Sequence, residues 1–304
     1  MYIYLPVAEI SIPAETVLLL GAIVGFLSGV FGVGGGFLTT PFLIFMGIPP
    51  AVAVGTQTNQ LVASSVAGSI GHWRRGNVDF KIGLVMMAGG VAGTAVGIMI
   101  FALLQWLGQV DLAISLLYIL LLGGIGFMML TEGLWAATRK PTISQQFNTQ
   151  KVSGFINRLP YKMRFPRSKL YISVLVPGGI GFVGGVLASI MGIGGGFLLV
   201  PAMIYILGMP TILAAGTSLF QIIFITAAAS VLHATFNGTV DLLLALLLII
   251  GGVVGTRLGA SAGRSIKPAH ARITLAILVI LVSLQLSWNL FAPPRELYST
   301  VLWG

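Results

Sequence analysis

Residues Gly32-Val33-Gly34-Gly35-Gly36-Phe37-Leu38, with Pro41 beyond them, return 160 positions later as Gly192-Ile193-Gly194-Gly195-Gly196-Phe197-Leu198 with Pro201. Each run interrupts an apolar stretch. Consecutive glycines disfavour a continuous helix, so each run reads as a break between two shorter helical pieces. Working outward, Gly21, Gly25 and Leu27 match Gly181, Gly185 and Leu187 at the same offset. At offset 161, Gly47, Pro49, Gly55, Thr56, Gln60, Ala67, Ser69 and His72 match Gly208, Pro210, Gly216, Thr217, Gln221, Ala228, Ser230 and His233. At offset 162, Asp79 matches Asp241, and Gly89, Gly90, Gly93 and Gly97 match Gly251, Gly252, Gly255 and Gly259. Both one-residue insertions fall in expected turns. A register kept over this length is a duplication.

Composition gives the class. The 304 residues are 57% hydrophobic and only 8% charged, with a mean hydropathy of +1.02. Soluble domains carry about 25% charged residues, so this chain cannot cover a water-facing surface. It reads as a polytopic membrane protein. Apolar stretches of about the length needed to cross a bilayer, or of half that length, occur at 16–31, 37–46, 51–70, 82–104 and 112–130. They resume at 172–191, 197–207, 212–232, 242–262 and 273–291. Three units result: a membrane repeat over 1–130, a basic cytoplasmic linker over 131–170, and a second membrane repeat over 171–304. The first fourteen residues lack Lys and Arg and contain Pro6, Glu9 and Pro13, so no cleavable signal is expected.

Basic residues mark the cytoplasmic loops of membrane proteins. The linker holds Arg139, Lys140, Lys151, Arg158, Lys162, Arg164, Arg167 and Lys169. Alternation from there puts Arg74, Arg75 and Lys81, and also Arg264, Lys267 and Arg272, on the same inner side. Both termini then lie outside, and Arg257 sits within reach of the inner surface. The net charge of +9 is thus an orientation signal, and no nucleic-acid partner is expected. The loop at Asp79 falls inside and its copy at Asp241 outside. The fold class expected is therefore all-α, with two inverted-topology repeats, each a Gly-broken helix pair plus three transmembrane helices. Such repeats build secondary transporters.

Chemistry has few places to sit. There are no cysteines, three histidines and seven carboxylates, and no carboxylate falls within an expected span. No catalytic triad, metal cluster, phosphate loop or cofactor motif is present, so an enzyme is not expected. The breaks remain. Peptide N–H groups at Gly34, Gly35 and Gly36, and at Gly194, Gly195 and Gly196, begin new half-helices at their electropositive ends, which attract anions. Tight helix packing is the competing use of such glycines. Beside them lie Thr56, Gln57, Asn59 and Gln60, and in the copy Thr217, Ser218 and Gln221. Gln60 and Gln221 each fall ten residues into their spans, about 15 Å deep, near the middle of a hydrocarbon layer of about 30 Å. These neutral side chains suit an oxyanion. Interhelical hydrogen bonding is the alternative for the serines and threonines. Asp79 and Asp241 read as helix caps, the glycine ridges as close packing surfaces that leave room for a homodimer, and His72 and His233 as structural or interfacial.

The doubled Gly-[Val/Ile]-Gly-Gly-Gly-Phe-Leu-x-x-Pro, followed by Gly-[Ile/Met]-Pro and Ala-[Val/Ala]-Gly-Thr, resembles the sulfite exporter TauE/SafE family of membrane permeases over about 16–291. The resemblance implies transport of sulfite, sulfonates or related sulfur-containing organic anions across a prokaryotic inner membrane by alternating access, in the direction of export. It also implies that the glycines and polar residues named above line the substrate path. A passive anion channel on the same scaffold and a non-transporting membrane scaffold are the rival readings.

Overall fold

The computed structural model describes residues 2–31, 35–138, 160–262 and 268–291. Five elements follow a short hairpin in each half. The first half runs β1 (Tyr2–Leu5), β2 (Ile10–Pro13), α1 (Ala14–Phe31), α2 (Gly36–Phe45), α3 (Pro50–Arg74), α4 (Phe80–Trp106) and α5 (Val110–Thr138). The second runs β3 (Lys162–Phe165), β4 (Leu170–Ser173), α6 (Leu175–Met191), α7 (Gly196–Tyr205), α8 (Thr211–Leu232), α9 (Leu242–Ala262) and α10 (Pro268–Phe291), with a π-helical turn, His233–Asn237, extending α8. The all-α membrane class holds. The helices α4, α5, α8 with its extension, α9 and α10 each contain a segment long and apolar enough to cross a membrane. At 25 residues, α3 is long enough too; its hydropathy is lowered by the polar run that starts at Thr56.

Local sequence explains the helix starts. Proline, with φ preset and no N–H to lose, suits a helix entrance: Pro49 and Pro50 open α3, and Pro210 opens α8. Asp79 and Asp241 each place Oδ1 where it accepts two first-turn N–H groups, from Lys81 and Ile82 and from Leu243 and Leu244, at 3.1–3.3 Å. Both are N-caps.

The two halves interlock. α1 lies along α9, α6 lies along α4, α3 crosses both α8 and α9, α8 also meets α4, and α5 pairs with α10. Exchanging the halves leaves this pattern unchanged. The glycine ridges set the closest pairs. Carbonyls of Leu18, Ala22 and Phe26 on α1 press on Gly251, Gly255 and Gly259, and those of Gly178, Phe182 and Val186 on α6 press on Gly89, Gly93 and Gly97. A Cβ on any of these ridge residues of α9 or α4 would overlap backbone, so only glycine allows the approach. Each ridge is thus filled by a partner helix from the other half of the same chain.

Two β-hairpins were not expected from the sequence. β1 pairs with β2 and β3 with β4, both antiparallel. Their turns open on Pro6 and Pro166 and carry left-handed residues, Glu9 at φ 54° and Lys169 at φ 53°. Each pair is again separated by 160 positions, so the duplication reaches back to the first strand. Part of the 131–170 stretch is consequently regular structure: the end of α5, β3 and the start of β4. Leu5 and Ile12 of the first hairpin pack with Val17, Leu43, Ile48 and Leu244. Phe165 of the second packs with Ile82, Met86, Leu199 and Met203.

Those clusters fix the path through the breaks. Val17 at the start of α1 and Leu43 at the end of α2 share one cluster, so the chain enters and leaves this broken pair at the same end of the bundle. α2 and α7 have 10 residues each, about 15 Å, half a hydrocarbon layer. They are re-entrant, a point the sequence leaves open. Asp241 meets α3 at Thr56, near its start, whereas Asp79 follows its end. The eighteen residue steps from Thr56 to Arg74 amount to about 27 Å of helix, so the two aspartates lie at opposite ends of the bundle.

Candidate functional site

The two breaks meet. Phe37 at the start of α2 and Phe197 at the start of α7 stack with ring centroids 4.6 Å apart and planes 16° off parallel. A Cβ on Gly36 would lie 2.6 Å from Leu61 Cδ1, 2.9 Å from the Gly192 carbonyl oxygen and 3.1 Å from that of Ile193. Gly192, Gly194 and Gly195 hold φ of 69°, 70° and 75°, the left-handed region that glycine enters without penalty. Gly35 caps α2 and Gly195 caps α7. The first N–H groups of any helix lack intrahelical partners, and here two such ends converge. Gly34 lies outside the described residues.

Surrounding residues anchor the second break. Tyr118 on α5 donates its hydroxyl to the Met191 carbonyl at 2.6 Å. His233 contacts the Ser189 carbonyl through Nε2 at 2.8 Å and meets Phe101 edge-on at 4.7 Å. Since a carbonyl only accepts, Nε2 carries hydrogen and Nδ1 is left to receive the Asn237 amide at 3.1 Å. His233 is fully buried, so its role is structural rather than interfacial. His72 is half-buried at the end of α3.

The polar run of α3 divides by face. Val54 abuts Gly192, and Leu61 abuts both Gly36 and Gly194. Gln57 lies between them at helical spacing on that face. It is 0% exposed, and both its amide oxygen and its amide nitrogen lack a partner. Gln60 (3% exposed) lies against Gly252 of α9, and Gln221 (0% exposed) lies against Gly90 of α4. The Oε1 of each is unpartnered, while the Gln221 amide nitrogen donates to the Met86 carbonyl at 3.3 Å. Leaving such groups unpaired in a buried place costs about 1–3 kcal/mol each. A core that tolerates this several times has a reason to do so.

Other expected site residues have local duties. Thr56 Oγ1 accepts the Asp241 N–H at 2.9 Å, and Thr217 Oγ1 accepts the Asp79 N–H at 3.0 Å. These two threonines therefore work at opposite ends of the bundle. Ser218 returns its hydroxyl to the Ala215 carbonyl. Asn59 accepts the Ser230 hydroxyl at 2.5 Å and donates to the Thr56 carbonyl. Two residues join the central group that sequence reasoning missed. Thr40 of α2, near Gly192 and the Tyr118 hydroxyl, and Ser65 of α3, one turn beyond Leu61, are fully buried, and the Ser65 hydroxyl is unpartnered. The periodicity Gln57, Leu61, Ser65 was the available signal. Among the described residues no cluster of three or more His, Asp or Glu is placed to hold a metal ion.

The sulfite exporter TauE/SafE family model matches residues 17–286. The chain belongs to that family. Among its relatives, the probable membrane transporter proteins YjnA and YunE of Bacillus subtilis are each 28% identical over 89% of this chain, covering 98% and 96% of their own lengths. A probable membrane transporter protein of Xylella fastidiosa is 28% identical over 90% of this chain and 94% of its own length. No solved structure matches. With its apolar spans, the TauE/SafE chain is a membrane transporter.

Proposed function

We propose that this TauE/SafE protein is a secondary transporter exporting sulfite, sulfonates or related sulfur-containing organic anions, with the anion held near the midplane where α2 and α7 begin. The observation that carries the reading is the buried, wholly unpartnered Gln57 amide on the face toward two converging helix starts, with the unpartnered Oε1 atoms of Gln60 and Gln221 buried against α9 and α4. Helix N-termini and the free Gln57 amide supply donors for the oxyanion. The free Oε1 atoms of Gln60 and Gln221 suit a substrate that also bears donor hydrogens, such as hydrogensulfite or an amino or hydroxyl sulfonate. A cation would want buried carboxylates. Among the described residues the buried ones are Asp79 and Asp241, and both are spent on caps.

The exchanged contacts support alternating access. The halves run in opposite senses through the bilayer, with the Asp79 end cytoplasmic, and rocking one half against the other opens the crossing to each side in turn. The stacked Phe37–Phe197 pair and Leu61 block the centre, which favours a carrier over an open channel. Purified protein in liposomes, assayed for [35S]sulfite uptake, tests this. Saturable uptake lost in Gln60→Ala and Gln221→Ala, with both variants still folded, is the expected result. Uptake that rises without saturation overturns the carrier, and normal flux in both variants overturns the site.

A further inference from the structure

The interlocked halves differ at one place on their outer surface. Between α4 and α6, Val85, Gly89, Val174, Leu175, Gly178 and Phe182 line an open, almost wholly apolar groove of about 500 Å³. Gly178 and Gly179 leave it empty: a Cβ on Gly178 would meet only Val85 Cγ1, at 3.8 Å, and one on Gly179 would meet nothing within 4 Å. At the equivalent positions of the α1–α9 pair stand Leu18 and Leu19, 160 residues earlier, both bulky and both exposed on the outer surface. The adjoining hairpins differ in the same sense. The β1–β2 hairpin contains no Lys or Arg. Its copy carries Lys162, Arg164, Arg167 and Lys169.

Groove and charge are contiguous. Val174, which lines the groove, donates its N–H to the Tyr161 carbonyl at 3.1 Å, and Lys162 pairs in register with Ser173. Lys162 and Arg164 are exposed and, two apart on one strand, share a face. Arg164 lies over the exposed Tyr171 ring, 5.9 Å from its centroid, a geometry suited to the headgroup layer. Arg167 is engaged with the Val78 carbonyl and stands apart from this pair. An apolar slot that opens beside paired cations at one end of a membrane bundle matches a single ligand chemistry. We propose that the α4–α6 groove holds an acyl chain of an anionic phospholipid from the leaflet facing the β3–β4 hairpin, with Lys162 and Arg164 on its headgroup phosphate.

Native mass spectrometry of the intact protein, exposed to equimolar dioleoylphosphatidylglycerol and dioleoylphosphatidylcholine, tests the proposal. The wild-type protein should retain phosphatidylglycerol in preference. Lys162→Ala and Arg164→Ala should each reduce that preference by about fivefold, the effect of one basic residue near an anionic surface. Gly178→Leu/Gly179→Leu, which restores what the first half has, should remove the bound lipid while leaving thermal stability unchanged or raised, since both positions have room. Gly179→Leu alone serves as the milder variant. Glycerol 1-phosphate, a headgroup without chains, should not compete. Equal retention of the two lipids, undiminished retention by the leucine variants, or full competition by glycerol 1-phosphate would each overturn the assignment.

Discussion

Gln57 shows how one residue can be expensive and useful at once. Its amide is fully buried with neither atom paired, and desolvating such a group costs about 1–3 kcal/mol. An apolar residue of similar size removes that penalty. Gln57→Leu is therefore expected to raise the unfolding temperature of detergent-purified protein while abolishing anion flux. A lowered unfolding temperature with flux intact would show that the amide is structural. The opposite behaviour is expected at Thr56, whose hydroxyl accepts the Asp241 N–H. Thr56→Val strands that buried donor, so thermal unfolding should reveal a loss of about 1–3 kcal/mol, with the concentration of anion giving half-maximal flux little changed. The sequence marks both residues as polar within a span and cannot separate them, because Thr56 and Asp241 are 185 positions apart and only the fold makes them neighbours. Gln60 and its copy are singled out in the sequence for a plainer reason: position along a helix follows from counting.

Elements divide in the same way between the readable and the hidden. Glycine ridges announce close helix contact, and the breaks announce two half-helices, because both effects arise from glycine itself. The partner is invisible in either case. Nothing local tells α1 to lie on α9 rather than on its own neighbour α4. The hairpins were hidden more completely, since strands of 4 residues are too short for alternation to emerge from mixed sequence, although Pro6 and Pro166 already repeat at the offset of the breaks. Position along the ridges now predicts opposite outcomes for one substitution. Gly93→Ala would drive a Cβ into the Phe182 carbonyl and should sharply reduce folded yield on size-exclusion chromatography. Gly179→Ala meets open space and removes a helix-weakening glycine, a gain of up to about 1 kcal/mol that should register as a higher unfolding temperature. The caps give a further case. Asp241 Oδ2 accepts the Val7 N–H, and Asp79 Oδ2 accepts the N–H and hydroxyl of Ser168, so each cap also ties down a hairpin. Asp241→Ala should cost about 1–2 kcal/mol through the cap, read by thermal unfolding, and should expose the β1–β2 hairpin to limited proteolysis.

At the scale of the whole molecule, the main pairings that join the halves survive their exchange, and the two hairpins lie at opposite ends of the bundle. Loop charge adds a direction to this geometry. Because basic loops stay inside, the proposed orientation keeps the basic hairpin with the cytoplasm and sends its copy, which has Glu9 but no Lys or Arg, across. If a membrane sits across the bundle in that sense, one hairpin faces each compartment, and the substrate reaches the crossing past each in turn. The absence of cysteine from the sequence makes this directly measurable, because single cysteines need no altered background. Tyr4 on the first hairpin and Tyr171 on the second are 60% and 57% exposed, so either position can be labelled without unfolding. In intact cells an impermeant maleimide should modify Tyr4→Cys and leave Tyr171→Cys untouched until the membrane is permeabilised. Labelling of both from outside would place the hairpins on one face and overturn the proposed exchange of access through the crossing. Labelling of Tyr171→Cys alone would keep the exchange and reverse its direction, with the basic hairpin outside.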